Sequence, residues 1–230
     1  MQPVLDAELR RHREVAPALE GVRLDRVLAT ARALLEERPL TGPELRAALA
    51  ERFPRHDAAA LAYACRNLLP LVQVPPRGLW GRGAQVTVTT AEAWLGRPLV
   101  ARPSLEDVVL RYLAAFGPAS VADVAAWSRL TGLRDVVERL RPQLLVFADE
   151  RGRELFDLPD APRPDPRVAA PVRFLPEYDN VLLSHDDRSR FLPDVPRGQV
   201  SAAFTGLGRG AVLVDGLVAA SWRLERSQDT

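Results

Sequence analysis

The sequence predicts an α+β protein: two tandem copies of a helix–helix–turn–helix–hairpin unit, followed by a small β-rich piece. Three observations carry this reading. Apolar residues recur at helical spacing in two separate blocks. The same helix-start signature, Pro-x-[Ser/Thr]-x-x-[acid]-[aliphatic], occurs at Pro39–Leu45 and again 79 residues later at Pro118–Val124. In each block the last helix runs into alternating strand-like residues around a glycine-containing tip.

The elements follow in order. Residues 1–21 read as an N-terminal helical segment. In the first block, Leu24, Val27, Leu28, Ala31, Leu34 and Leu35 form one helical face. Thr41 and Glu44 then make a capping box, in which the hydroxyl accepts from a free first-turn N–H and the carboxylate reaches back. Leu45, Ala48, Leu49 and Phe53 follow on a second helix. After the polar break Pro54–Asp57, a third helix carries Leu61, Ala64, Cys65, Leu68 and Leu69. Strands are expected at Leu71–Val74 and Gln85–Thr89. The second block repeats the order. Ser104 opens a helix with Leu105, Val108, Val109, Tyr112 and Phe116. Ser120 and Asp123 form the second box. After Thr131–Gly132, Leu133, Val136, Val137 and Leu140 face inward, and strands at Leu144–Phe147 and Glu154–Phe156 flank Asp149–Gly152. A helix-turn-helix with an appended β-ribbon is a winged helix. The reading is therefore tandem winged helix-turn-helix domains, at 22–100 and 101–158.

Residues 159–171 hold five prolines and read as a semi-rigid linker. Beyond it, Val172–Leu175 is a short strand. Ala211–Val214 and Leu217–Trp222 form a hairpin around Asp215-Gly216, a strong two-residue turn signal. This small β-rich C-terminal unit, 172–230, has too few strands to close a sheet and is expected to be incomplete.

Composition narrows the function. Hydrophobic residues make up 47% and charged residues 27% of the 230, which excludes wholesale disorder and fibrous repeats. No stretch reaches the ~18 apolar residues of a membrane span, and the N-terminus lacks a signal-peptide pattern. A soluble cytoplasmic protein with no membrane partner is expected. Cys65 is the single cysteine, and His12, His56 and His185 are far apart. No metal and no cofactor are expected, and neither a phosphate loop nor a nucleophile elbow occurs.

Basic residues number 31 against 30 acidic ones, and every basic residue is arginine. Their distribution is uneven. Residues 1–100 carry 14 arginines and 11 acids, whereas residues 104–160 carry 7 and 10. Any general anion-binding surface is expected in the first part of the chain.

Four runs go beyond pattern: VPPRGLWGRG (74–83), TTAEAWLGRPL (89–99), FLPEYDNVLLSHDDRSRFLPD (174–194) and VLVDGLVAASWR (212–223). In this order they resemble the bacterial winged-helix DNA-binding proteins of the HTH_42 group, which includes the AlkZ/YcaQ-type DNA glycosylases. The likeness covers most of residues 20–225. It implies tandem winged helices with a C-terminal β-domain and a concave surface for double-stranded DNA. It also implies, in active members, metal-free excision of alkylated or crosslinked purines. The family's catalytic signature is a Gln-hydrophobic-[Gln/Asp] triplet. Here the glutamines stand at 2, 73, 85, 143, 199 and 228, and none heads such a triplet. The chain is expected to start after the family's first winged helix and to stop inside its last β-domain. Glycosylase activity is not carried over, and no catalytic residue is assigned.

The candidate DNA-binding residues are Arg77, Trp80 and Arg82 in the first hairpin tip, Arg66 and Asn67 on the third helix, and Arg55 before it. Arginine forks onto phosphate, glycines let the backbone approach, and Trp80 can stack or wedge in a groove. Arg66 and Asn67 are residue types that read guanine and adenine edges. Trp80 folding back onto the core, and solvated arginines, are the competing reading. In the second block Arg134, Asp135, Glu138, Arg139 and Arg141 are mixed in sign and suit salt-bridged packing better. Tyr178, Asp179, His185 and Arg188 concentrate polar chemistry. A metal at Asp186/Asp187 or an acid–base pair at His185 is conceivable, though turn and cap chemistry is the commoner use of such residues. Three functions stay open. They are a DNA-binding member inactive by itself, a glycosylase working through Asp179 or Glu177, and a protein-interaction scaffold.

Overall fold

The computed structural model describes residues 2–79, 82–192 and 209–224. The chain divides into two compact units, Met1–Arg102 and Pro103–Thr230.

The first unit runs α1 (Gln2–Arg11), α2 (Val15–Ala18), α3 (Leu24–Glu37), β1 (Leu40–Thr41), α4 (Gly42–Arg52), α5 (Ala58–Leu68), β2 (Leu71–Gln73), β3 (Thr87–Thr90) and α6 (Ala91–Leu95). Each helix start has a chemical cause. Thr41 Oγ1 accepts from the Glu44 N–H at 3.4 Å, and a Glu44 carboxylate oxygen accepts from the Thr41 N–H at 2.8 Å. Pro43 in this first turn has no N–H to leave unpaired. The Thr41 N–H and hydroxyl, then Arg38, hold the Glu44 carboxyl down to about 2. Asp57 caps α5, accepting from Ala59 and Ala60 at 2.8 and 3.2 Å.

The inward faces of α3, α4 and α5 then meet. Val27, Ala31, Leu35, Leu45, Leu49, Leu61, Cys65 and Leu69 form one core. A second, smaller cluster joins Leu9 of α1 and Val15 of α2 to Ala60 and Ala64 on the neighbouring stripe of α5. Small alanines there let the N-terminal helices approach closely. Burial pushes the Cys65 thiol up to about 12, so it is an inert core group. The sheet is antiparallel in the order β1-β3-β2, with Leu40 opposite Val88 and Val72 opposite Thr89. The buried Thr89 hydroxyl donates to the Leu35 carbonyl at 2.7 Å, which ties the sheet to the last turn of α3.

The second unit runs α7 (Leu105–Phe116), α8 (Val121–Ser128), α9 (Leu133–Leu140), β4 (Leu145–Ala148), β5 (Glu154–Asp157), β6 (Arg173–Leu175), α10 (Asn180–Leu183), β7 (Gly210–Val214) and β8 (Leu217–Trp222). Ser104 caps α7, and the Ser120–Asp123 box caps α8. Val109, Tyr112, Leu113, Val124, Leu133, Val136, Val137, Leu140 and Phe156 make the core. β4 and β5 pair antiparallel, and Ala119 bridges to Phe156. That bridge repeats the β1–β3 pairing of the first unit: Leu40 and Ala119 each precede the cap residue, and each bonds to the returning strand of its hairpin.

β6, β7 and β8 form a separate antiparallel sheet in that order. Asp215 and Gly216 both have positive φ, 50° and 78°, as a twist-matched two-residue turn demands. Gly210 lies opposite Trp222. A Cβ there would collide with the Leu175 carbonyl and the Trp222 indole. Its absence lets Trp222 Nε1 donate to that carbonyl at 2.9 Å.

Candidate nucleic-acid interface

The loop between β2 and β3 is held open by its own polar groups. Gln73 Nε2 donates to the Arg77 carbonyl at 3.1 Å, and Arg77 Nη1 donates to the Ala84 carbonyl across the loop at 3.1 Å. The Leu79 and Arg82 N–H groups close successive turns at 3.2 and 3.1 Å. Gly78 at φ +92° supplies a conformation other residues rarely adopt. One guanidinium donor of Arg77 is thus engaged in loop structure, and the rest of the fork is unspent. Arg82 is exposed on the same loop. Trp80 lies outside the described residues.

On α5, Arg66 is exposed and its guanidinium stands 5.9 Å from the Tyr63 ring centroid. Asn67 Nδ2 donates to the Tyr63 carbonyl at 2.8 Å, so an amide donor suited to reading adenine is used on the helix's own backbone. Arg55 is exposed in the turn before α5. Among the described residues no carboxylate pairs with Arg55, Arg66, Arg77 or Arg82. The structure adds Arg46 on α4, which sequence reasoning passed over. Arg46 lines one cavity with Tyr63 and Arg66. Spacing along the chain does not show this, because the two arginines are 20 residues apart on different helices.

In the corresponding part of the second unit most cations are tied to acids, Arg134 of α9 being the exception among the described residues. Arg139 pairs with Glu106, and Arg141 pairs with Glu138 at 2.7 Å and Glu154 at 2.8 Å. At the second hairpin tip, Arg153 pairs with Asp149, and both Arg151 and Arg153 reach Asp187, at 3.3 and 2.8 Å.

Of the four polar candidates of the 178–188 segment, Tyr178 and Asp179 precede α10, and His185 and Arg188 follow it. Tyr178, at φ +60° and 55% exposed, and Asp179 stand at the start of α10. Asp179 is its cap, accepting from the Val181 N–H at 2.9 Å. Past its end, Arg188 Nε donates to the His185 carbonyl at 3.3 Å. His185 is 3% exposed, amid the rings of Tyr112, Phe116 and Phe191. Its Nε2 lies 3.3 Å from both the Phe116 carbonyl and Arg190 Nη1, and its Nδ1 has no partner among the described residues. Asp187 is held well below the usual carboxylate range, first by the Ser189 hydroxyl and N–H, then by Arg153. A cavity of about 460 Å³ nearby is lined by Asp123, Arg151, Arg153, Asp187 and Arg190 among others, and Tyr178, Asp179 and His185 are not in its wall. Among the described residues no group of three metal-ligating side chains gathers, and no helix is long and apolar enough to cross a membrane.

Burial, then the Arg190 charge, lowers the His185 pKa below its ordinary value, against an upward pull from Asp123 and the Phe116 carbonyl. The unfolded chain therefore takes up this proton first as pH falls. The second unit should keep its full stability above about 6.5 and lose part of it as pH drops from there to the folded-state pKa. His185→Phe fits the aromatic surroundings and removes the titration. Thermal melts at pH 7.5 and 5 should show a larger drop in the parent than in His185→Phe; equal drops contradict the assignment.

Comparison with known proteins gives a family and a solved structure. The family model described as DNA glycosylase AlkZ-like matches residues 1–230. The structure of Streptomyces sahachiroi DNA glycosylase AlkZ aligns with a TM-score of 0.66 at 21% identity, covering 93% of this chain and 61% of that one. At that identity the likeness shows a shared fold, and the chain spans 61% of its relative's length. No curated protein matches the chain.

Proposed function

The chain belongs to the AlkZ-like DNA glycosylase family, and from that premise we propose that it binds duplex DNA through its first unit without excising bases by itself. In this reading α3 to β3 is a winged helix, with the 74–86 loop as the wing and α5 as the helix offered to DNA. Residues 101–158 are the second winged helix. Damaged duplex, with alkylated or crosslinked purines, is the natural partner, and a soluble cytoplasmic setting belongs to the same proposal.

The observation that carries the reading is the contrast in charge pairing. In the first unit Arg46, Arg55, Arg66, Arg77 and Arg82 have no carboxylate partner among the described residues. In the second, the arginines of α9, of the turn after it and of the hairpin tip are largely bound to acids. Unpaired guanidinium groups are what displaces counterions from a phosphate backbone. The second part of the proposal rests on the missing Gln-hydrophobic-[Gln/Asp] triplet and on Asp179, whose carboxylate serves as a helix cap. A scaffold role has one supporting feature. Leu145, Val146 and Phe147 of β4 are all more than a third exposed, at 39%, 42% and 38%, and would suit contact with another protein.

The test uses duplexes with and without a 7-methylguanine-type lesion. The chain should retain both and leave no alkali-labile sites above background. Alkali-dependent strand cleavage that disappears in Asp179→Asn would overturn the non-excising reading.

A further inference from the structure

We propose that the cavity between α4 and α5 seats one backbone phosphate of duplex DNA, gripped jointly by Arg46 and Arg66. The inference rests on the DNA-binding reading above and gives it a specific contact. The cavity, about 290 Å³, is lined by Gly42, Pro43, Arg46, Ala59, Ala62, Tyr63 and Arg66. Gly42, Ala59 and Ala62 are too small to fill it, so its depth is open to a ligand group. Among the described residues its only charged lining groups are two guanidinium ions, both on exposed residues.

The acids at the starts of the two helices, Glu44 and Asp57, are already engaged. Glu44 accepts from Thr41 and pairs with Arg38 at 3.0 Å. Asp57 accepts from the first N–H groups of α5. The first-turn Glu44 N–H at the start of α4 is likewise taken by Thr41, so the two guanidinium groups are the main source of attraction. The Tyr63 ring beside the Arg66 guanidinium, 5.9 Å away, favours a fixed placement of that fork. Two forks converging on one concavity suit the several acceptor oxygens of a phosphodiester better than a planar base edge.

The repeat offers an internal comparison. Counting from the two capping boxes, the second unit has Val121 where the first has Gly42, and Ala125 where the first has Arg46. The site therefore needs residues that only the first copy carries. It also reassigns Arg66. With Asn67 bonded to its own helix, Arg66 contacts the backbone and not a base, and its contribution is independent of sequence.

The test is fluorescence anisotropy on two duplexes of unrelated sequence across a salt series. The proteins are the parent, Arg46→Ala, Arg66→Ala, the double alanine variant and the Arg46→Lys/Arg66→Lys pair. One shared phosphate predicts that the double alanine variant flattens the slope of log K against log salt by about 0.9, with neither single variant exceeding that. Binding at 50 mM salt should fall on the order of tenfold, equally on both duplexes. The Lys pair should keep the parental slope while binding more weakly, since charge remains and the forks are lost. Both residues are exposed, and circular dichroism confirms that each variant is folded. A parental slope in the double alanine variant overturns the site while leaving the DNA-binding reading intact. A fall of about two units overturns the shared seat, because it means two phosphates. A loss confined to one duplex overturns phosphate contact in favour of base readout. A parent that fails to bind either duplex overturns the DNA-binding reading and the site with it.

Discussion

Tyr112→Ala should cost the second unit about 3–5 kcal/mol, as deletion of a large buried aromatic does. Tyr112 is 1% exposed and sits at the centre of an aromatic group, with ring centroids 5.3 Å from Phe116 and 5.4 Å from Trp127. Its hydroxyl donates to the Ser184 carbonyl at 2.6 Å, which ties α7 to the end of α10. The alanine variant leaves both a void and a buried carbonyl without its donor. Tyr112→Phe separates the two effects. It keeps the ring and loses the hydrogen bond, at about 1–3 kcal/mol. Denaturant unfolding followed by tryptophan emission measures both, since Trp127 lies against the altered ring. Alkylation of Cys65 reports on the first unit. The thiol is buried in that unit's core and should stay protected under conditions where the second unit has melted. A loss below about 1 kcal/mol in Tyr112→Ala would show that the ring is not a keystone of this core.

The second large effect is on DNA. Replacing Arg77 and Arg82 together by alanine should flatten the salt slope by about 1.8, which at 50 mM salt is a loss on the order of a hundredfold. The two arginines are not equivalent. Arg82 has no carboxylate partner among the described residues, and Arg82→Ala removes charge alone. Arg77 also holds the Ala84 carbonyl, so Arg77→Ala loosens the loop as well as removing charge. Arg77→Lys should therefore keep the slope but only part of the affinity, while Arg82→Lys keeps nearly all of both. Trp80→Ala removes no charge and should leave the slope unchanged. Anisotropy across a salt series distinguishes all of these, and a parental slope in the double alanine variant means the loop does not hold the backbone.

Much of the fold was legible because it is written in local chemistry. Thr41 with Glu44, Ser120 with Asp123, and Ser104 all appear as helix caps where the sequence places them. The Asp215-Gly216 turn appears between β7 and β8. What was not legible depends on partners distant in sequence. β1 is two residues long and exists only because Leu40 meets Val88. The first hairpin's return strand begins at Thr87, not Gln85, since the loop's own hydrogen bonds displace the ladder. Asp123 looked like a cap and is one, yet its other oxygen accepts from the Asp186 N–H at 2.9 Å. His185 read as turn or cap chemistry, with an acid–base pair as the alternative, and its burial among rings from α7 shows only after folding. The candidate interface divides in the same way. The arginines of the β2–β3 loop stand out by composition, whereas Arg46 joins Arg66 only through the packing of α4 on α5.

The most direct measurement is the salt dependence of the unaltered chain on an undamaged duplex. With one phosphate each for Arg77 and Arg82 and one shared by Arg46 and Arg66, the slope of log K against log salt should be about −2.7 or steeper. Binding should be detectable at 50 mM salt and largely lost by 200 mM. No binding at 50 mM, or a slope near zero, would contradict the account, because the unpaired arginines of the first unit would then not be meeting phosphate.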